Sequence, residues 1–192
     1  MEKTAPVRVA LDAGHGARPG RPYTGAAANG LVEDDLTLDL IKRIGHLLRA
    51  AGHETVYTRP DNKLVALNKR GKIARDTHCG LFLSIHCNAG PKAACGVEAF
   101  VVKGDAASRS IAQRLVDGVS AQGLSNRGVK WDSQSQYSRL AVLRGTYRHM
   151  PAILLEVGFL TNRHDSRLLS NKYFREYTAI EIAGVVVEMN SK

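Results

Sequence analysis

The feature that most constrains how this chain folds is a set of three short apolar runs, each ending in side chains able to bind a metal or move a proton. Val7-Arg8-Val9-Ala10-Leu11-Asp12 leads into Ala13-Gly14-His15-Gly16. Gly80-Leu81-Phe82-Leu83-Ser84-Ile85 leads into His86-Cys87-Asn88, and Pro151-Ala152-Ile153-Leu154-Leu155 leads into Glu156-Val157-Gly158-Phe159. Short apolar runs closed by glycine or polar residues read as buried strands of an α/β sheet. Chemistry in such sheets gathers at the carboxyl ends of the strands. Two histidines and a carboxylate delivered to one sheet edge are the makings of a catalytic metal site.

The segments between these runs alternate helix and strand patterns. A glycine-rich loop, 14–30, follows the first strand, and loops this long in compact domains are usually functional. Glu33-Asp34-Asp35 opens a helix whose apolar face is Leu36, Leu38, Leu40, Ile41, Ile44, Leu47 and Leu48; acidic residues in a first turn suit the helix dipole. Residues 53–58 read as a strand. Residues 64–77 read as a helix with Leu64, Leu67, Ile73 and Ala74 inward and Lys69, Arg70, Lys72 and Arg75 mostly outward. Further strands are predicted at 96–102, around Val129 and at 140–143, and the third apolar run is predicted to end at Glu156. Helices are predicted at 106–121 and 173–189, the latter with Ile180, Ile182, Ala183, Val186 and Val187 available for the core, and a helical turn at 165–169. The alternation predicts an α/β fold with a largely parallel sheet. A chain of 192 residues without repeats or linkers is one domain with a sizeable core.

Composition narrows the partners. The formal charge of +9 favours anionic ones such as nucleic acid, anionic membrane or acidic cell-envelope polymer. Aromatic residues make up only 6% and do not interleave with basic ones, so no stacking platform for bases is expected. Three cysteines, Cys79, Cys87 and Cys95, cannot complete a disulfide framework and read as free thiols. The first residues pass straight into a strand, so no signal peptide is expected, and no apolar run is long enough for a transmembrane helix.

A hydrolytic zinc site needs three protein ligands and one open position. His15 and His86 follow separate strands and can face one cleft. Glu33 closes the loop that His15 begins, so folding that loop back makes Glu33 the third ligand. Zinc lowers the pKa of bound water to about 7 and polarises a carbonyl. Glu156, at the end of its own strand, is placed to take a proton from that water and pass it to the leaving nitrogen. Taken singly, His15 also reads as a turn residue, His86 as a core histidine, Glu33 as a helix-start charge and Glu156 as an ion-pair partner. Taken jointly, they favour a site.

The blocks Leu11-Asp12-Ala13-Gly14-His15-Gly16, Leu31-Val32-Glu33, Ser84-Ile85-His86-Cys87-Asn88-Ala89 and Leu155-Glu156-Val157-Gly158-Phe159-Leu160-Thr161-Asn162 closely resemble motifs of the zinc-dependent N-acetylmuramoyl-L-alanine amidases. Thr58-Arg59, Arg70, Gly96-Val97-Glu98 and Arg127-Gly128-Val129-Lys130 fit the same family, so the resemblance covers nearly the whole chain. It implies that His15, Glu33 and His86 bind one zinc and that Glu156 is the catalytic carboxylate. It implies cleavage of the amide between N-acetylmuramic acid and L-alanine of the peptidoglycan stem peptide. The implied fold is a twisted, mixed but mostly parallel sheet with helices on both faces, one catalytic domain over 1–192 with no separate wall-binding domain. The stretch 104–147 leaves little room for the site-blocking helix of regulated relatives, so an open site is expected. A phage or prophage endolysin is the setting that fits best, with the catalytic domain of an autolysin as the alternative. The expected partner is peptidoglycan, with anionic envelope polymers next; a monomer is expected, made in the cytoplasm and acting on the wall after release or export.

Weaker readings attach to five more positions. Asn88 and Glu98 are candidates for substrate contact or for orienting a ligand, and Arg144 for meeting a stem-peptide carboxylate, though each also reads as an ordinary turn, strand or surface residue. Trp131 and Tyr137 read equally as a sugar-contacting wall or as simple packing. Three rival functions remain: a thiol hydrolase built on Cys87, a binding module without catalysis, and a zinc hydrolase of another specificity. The first is disfavoured because adjacent strand residues face opposite ways, which separates Cys87 from His86.

Overall fold

The computed structural model describes residues 6–189. Its strands are β1 (Arg8–Ala13), β2 (Ala27–Ala28), β3 (Leu31–Val32), β4 (Glu54–Tyr57), β5 (Leu81–Asn88), β6 (Val97–Val101), β7 (Asn126–Trp131) and β8 (Ala152–Phe159). Its helices are α1 (Glu33–Ala50), α2 (Leu67–Asp76), α3 (Ala106–Ser120), α4 (Ala141–Arg144), α5 (Arg163–Ser170) and α6 (Lys172–Glu188). Six strands form one sheet in the order β4-β1-β5-β8-β6-β7, and β2 pairs with β3 in a separate small hairpin. β4, β1, β5 and β8 run parallel; β6 is antiparallel to β8 and parallel to β7. The carboxyl ends of β1, β5 and β8 therefore share one edge of the sheet with the starts of β6 and β7.

The alternation of side chains along each strand divides the core between two faces. Leu81, Leu83, Ile85 and Cys87 of β5 join Leu11, Ile153, Leu155 and Ala99 under α1, α3 and α6. Phe82 joins Ala10, Phe100, Ala152 and Leu154 on the opposite face, where α2 and α4 cover them through Ala74, Val142 and Leu143. The predicted α/β architecture with helices on both faces is the observed one. Among the described residues no helix is long and apolar enough to cross a membrane. The expectation about a signal peptide falls largely on residues 1–5, which lie outside the described residues.

Several local expectations are corrected. Residues 140–143 do not form a strand; Ala141–Arg144 is a helical turn that seats Val142 and Leu143 on the sheet. Leu64 and Leu67 are exposed, because the helix begins only at Leu67. Arg70 is buried rather than outward, drawn in by an ion pair with Asp12. Ile180 faces solvent because α6 turns Ala179, Ile182, Ala183 and Val186 inward instead. The third apolar run does not stop at Glu156 but pairs on to Phe159, past an irregularity between His86 and Asn88.

Candidate metal centre

His15, Glu33 and His86 converge, with one ligand atom from each lying within 4.8 Å of the others. Each arrives by its own route. β1 ends at Ala13, and His15 takes a left-handed backbone conformation, φ 62°, that turns its ring back over the sheet edge. Asn29 and Gly30, with φ 51° and 77°, make the tight turn between β2 and β3. Two such residues in succession favour a two-residue hairpin. The hairpin returns the chain to α1, whose first residue is Glu33. His86 stands near the end of β5, on the face opposite Cys87.

The carboxylate of Glu33 is the hub. Its Oε1 lies 3.2 Å from His15 Nε2 and 3.1 Å from His86 Nδ1. The backbone N–H of Cys87 donates to the same oxygen at 3.1 Å, and that of Ala26 donates to Oε2 at 2.9 Å. The two imidazole rings are 5.1 Å apart, centre to centre, and nearly perpendicular. Burial disfavours the Glu33 anion, but hydrogen bonds and charge from both histidines outweigh it and hold its pKa far below the ordinary range. Burial likewise works against a charged His15, yet Glu33 overrides it and raises the pKa of that imidazole. Two imidazoles and one carboxylate are a zinc donor set. A tetrahedral zinc with ligands about 2.1 Å away spaces its donors about 3.4 Å apart, close to the separations from Glu33 Oε1. The residues therefore fit zinc.

Two glycines leave the room these side chains need. A Cβ on Gly14 would stand 2.4 Å from the His86 ring. A Cβ on Gly25 would stand 2.6 Å from Asp34 Oδ1 and 2.8 Å from Glu33 Oε2. Beneath the ligands lies a buried polar scaffold that the sequence reading did not identify. Asp34 accepts backbone N–H groups of Gly16, Thr24 and Gly25 and ties the glycine-rich loop to α1. Asp12 accepts from Ser84 Oγ at 2.6 Å, from Arg70 at 2.9 Å and from Thr58 Oγ1. Arg70 also donates to the carbonyls of Ala13 and His15, and Arg59 to those of Ala13, Gly14 and Asp34. The two buried guanidiniums fix the carbonyls around His15. The resemblance at Thr58-Arg59 and Arg70 was their one signal; helical periodicity pointed Arg70 the wrong way.

Glu156 pairs in register with His86 on the neighbouring strand and shares its face of the sheet. Its Oε2 is buried without a hydrogen-bond partner. Burial first, then the negative charges of Glu33 and Glu98, push its pKa well above the ordinary carboxylate value. Glu98, directly opposite Glu156 on β6, is bound by Arg127, Lys130 and the Asn88 side-chain amide. Neither Asn88 nor Glu98 touches a ligand histidine. Arg144 is not brought to the centre: it makes a two-point ion pair with buried Asp132, which follows the carboxyl end of β7 at the opposite edge of the sheet. Trp131 sits at that same far edge, stacked under Arg109. Cys87 is buried under α1, and burial with the nearby Glu33 and Glu156 charges raises its thiol pKa well above normal.

Residues 9–188 match the family model described as N-acetylmuramoyl-L-alanine amidase. The chain belongs to that family. It is 32% identical over 167 residues to the endolysin of Bacillus phage SPP1, covering 85% of this chain and 59% of the endolysin. It is 30% identical over 170 residues to N-acetylmuramoyl-L-alanine amidase LytC of Bacillus subtilis, covering 88% of this chain but 32% of LytC. Among solved structures, the catalytic domain of the amidase CwlV from Bacillus (Paenibacillus) polymyxa superposes with a TM-score of 0.82 at 30% identity. That match covers 95% of this chain and 97% of the CwlV domain. The chain thus spans an amidase catalytic domain and only part of each of these two curated relatives.

Proposed function

We propose that this chain is a zinc-dependent peptidoglycan hydrolase that cleaves the amide between the lactyl group of N-acetylmuramic acid and the L-alanine of the stem peptide. The observation that carries the proposal is the convergence of His15, Glu33 and His86 beside Glu156, a half-buried residue with one buried, unpartnered carboxyl oxygen. When bound by the first three residues, zinc supplies a Lewis acid for the scissile carbonyl and acidifies water. Glu156 is the proton carrier: its carboxylate accepts a proton from the attacking water, and its raised proton affinity suits it to hold that proton until the amine leaves. Glu33 is already committed to both histidines and two backbone N–H groups, which suits it to hold position rather than to move protons.

The segment between β6 and β8 is used by α3, β7 and α4, each packed against the sheet or against a helix, which supports an open cleft. The buried Cys87 thiol, on the opposite face from His86 and with a raised pKa, argues against a thiol hydrolase. The proposed setting is wall lysis or turnover, as an endolysin or as the catalytic domain of an autolysin, acting on the cell envelope as a monomer. The test is mass analysis of purified peptidoglycan digested with and without a chelator. New L-alanine amino termini on intact stem peptides, lost with chelator and restored by zinc, are the expected result. Cleavage at another bond, or full activity in chelator, overturns the proposal.

A further inference from the structure

Glu98, Arg127 and Lys130 form a cluster one strand away from Glu156. Glu98 lies directly opposite Glu156 in antiparallel register, so both carboxylates rise from the same face of the sheet. The Glu98 side chain is only 5% exposed, whereas those of Arg127 and Lys130 are 32% and 29% exposed. Arg127 Nε donates to Glu98 Oε2 at 2.6 Å, and Lys130 Nζ donates to the same oxygen. Asn88 Nδ2 satisfies Oε1 at 2.9 Å. One buried carboxylate needs one counter-ion; here it has two cations and an amide. The two cations are the part of the cluster that reaches solvent.

The backbone is built to put it there. One β6 residue, Glu98, stands opposite two β7 residues, Arg127 and Gly128, because the register shifts between Val97 and Ala99. This is a bulge, and Gly128 meets its left-handed geometry with φ 74°. Bulges re-aim side chains next to sites. The guanidinium carbon of Arg127 lies 4.9 Å from the centre of the Phe159 ring, with Nη1 donating to the Cys95 carbonyl. Its remaining N–H groups and those of Lys130 have no other carboxylate partner among the described residues.

We infer that Arg127 and Lys130 form a receptor for a carboxylate on the peptide side of the scissile amide, and that they favour stem peptides whose second residue carries a free rather than an amidated carboxyl. The inference rests on the amidase reading above. The muramic carboxyl is consumed in the amide being cut, so an anion within short reach must come from the peptide. His86, Glu156 and Glu98 lie on three successive strands, which places the cluster about 10 Å across the sheet from the metal ligands. Two extended residues span about 7 Å, and the side chain of the second covers the rest.

The test uses two synthetic muramoyl peptides that differ only in whether the second residue's carboxyl is free or amidated, with the zinc-loaded enzyme. The ratio of kcat/KM, free over amidated, is expected to be about tenfold and to arise in KM, the scale of one partly exposed charged hydrogen bond. Arg127→Gln and Lys130→Gln each leave Glu98 one cation and should bring the ratio toward one. Glu98→Gln frees both cations and should raise it. A merely structural role moves both substrates together and leaves the ratio unchanged. Lys130→Arg should keep the preference, and Lys130→Gln remains decisive if Arg127→Gln does not fold. A ratio near one in the unmodified enzyme, or one that survives both glutamine changes, overturns the receptor. Failure to cut either peptide at the lactyl-alanine amide defeats the amidase reading instead, and the receptor with it.

Discussion

Two glutamates of the site, Glu33 on α1 and Glu156 on β8, show opposite treatments of the same side chain. Glu33 is oversupplied: two imidazoles and two backbone N–H groups converge on its carboxylate, and its pKa is driven down. Glu156 is undersupplied: one oxygen is buried with no partner, other carboxylates surround it, and its pKa is driven up. A saturated carboxylate is fixed in charge and place and suits a metal. An unsatisfied one holds its proton more tightly than an exposed carboxyl does, which suits it to take a proton and return it to a leaving group. Burial pushes both pKa values up, and the histidine partners of Glu33 reverse that push where the carboxylate neighbours of Glu156 add to it.

The largest effect should come from removing the saturated partner. Glu33→Ala takes away the hub of the donor set, so most bound zinc and nearly all turnover should vanish. Elemental analysis finding one zinc per chain in that variant would break the comparison at its root. Glu156→Gln should separate the two roles, keeping zinc while lowering turnover roughly 10²–10⁴-fold, the range for a lost general base. If it loses zinc, Glu156 is a ligand; if turnover stays near normal, it carries no proton.

The same variant sharpens the comparison through pH. In metal-free protein Glu156 keeps its proton above the ordinary value of 4.5, so the folded state binds more protons than the unfolded one. Its contribution is intact below pH 4.5 and is lost as pH rises toward the folded pKa. Melting curves in chelator should therefore show Glu156→Gln gaining stability over the parent as pH rises through the span above 4.5. Equal melting shifts across that span would show that burial does not strain the carboxylate.

Smaller effects should follow from the frame around the ligands. Gly14→Ala drives a methyl into the His86 ring and should weaken zinc binding about 10–100-fold, the scale for a displaced support of a ligand. Gly184→Ala on α6, with open space around it, should leave zinc affinity as it was. Competitive titration against a chromogenic chelator reads both, and equal affinities would show that the crowding at Gly14 is relieved elsewhere. Smallest of all, alanine at Cys79, Cys87 and Cys95 together should change turnover of the folded enzyme by no more than a few-fold. Abolished turnover with zinc retained would give a thiol a role in the chemistry.

What the sequence made legible was whatever burial writes as an unbroken apolar run. β1, β5 and β8 are strands covered on both faces, so their patterns and the polar residues closing them stood out, and the candidate ligands His15 and His86 and the candidate proton carrier Glu156 came with them. Polar groups that solve their burial by pairing with distant residues were invisible. Arg70 looks like one more cation on a charged helix, and only Asp12, 58 residues away, explains why it turns inward. Asp34 reads as a first-turn acid, yet its work is to gather three backbone N–H groups of a loop that no periodicity describes. Short apolar segments misled in the other direction: residues 140–143 have strand composition but lie down as a helical turn to fill a gap on the sheet. The reversal of β6 also left no mark, because direction depends on the path of the connection rather than on the strand's residues.

β8 is the last strand in the sequence but lies between β5 and β6 in the sheet. During synthesis the chain up to residue 151 can form only two separate ribbons, β4-β1-β5 and β6-β7, each with an unpaired edge. Glu156, the proposed proton carrier, arrives on the piece that joins them. On the proposed reading, a growing chain thus has His15, Glu33 and His86 long before it has Glu156, and the site is completed in the same event that seals the fold. Pulse-labelled hydrogen exchange during refolding should find β5 and β6 amides gaining protection in one shared phase, and two well-separated phases would refute this order. The waiting edges are also where an incomplete chain is most open to aggregation.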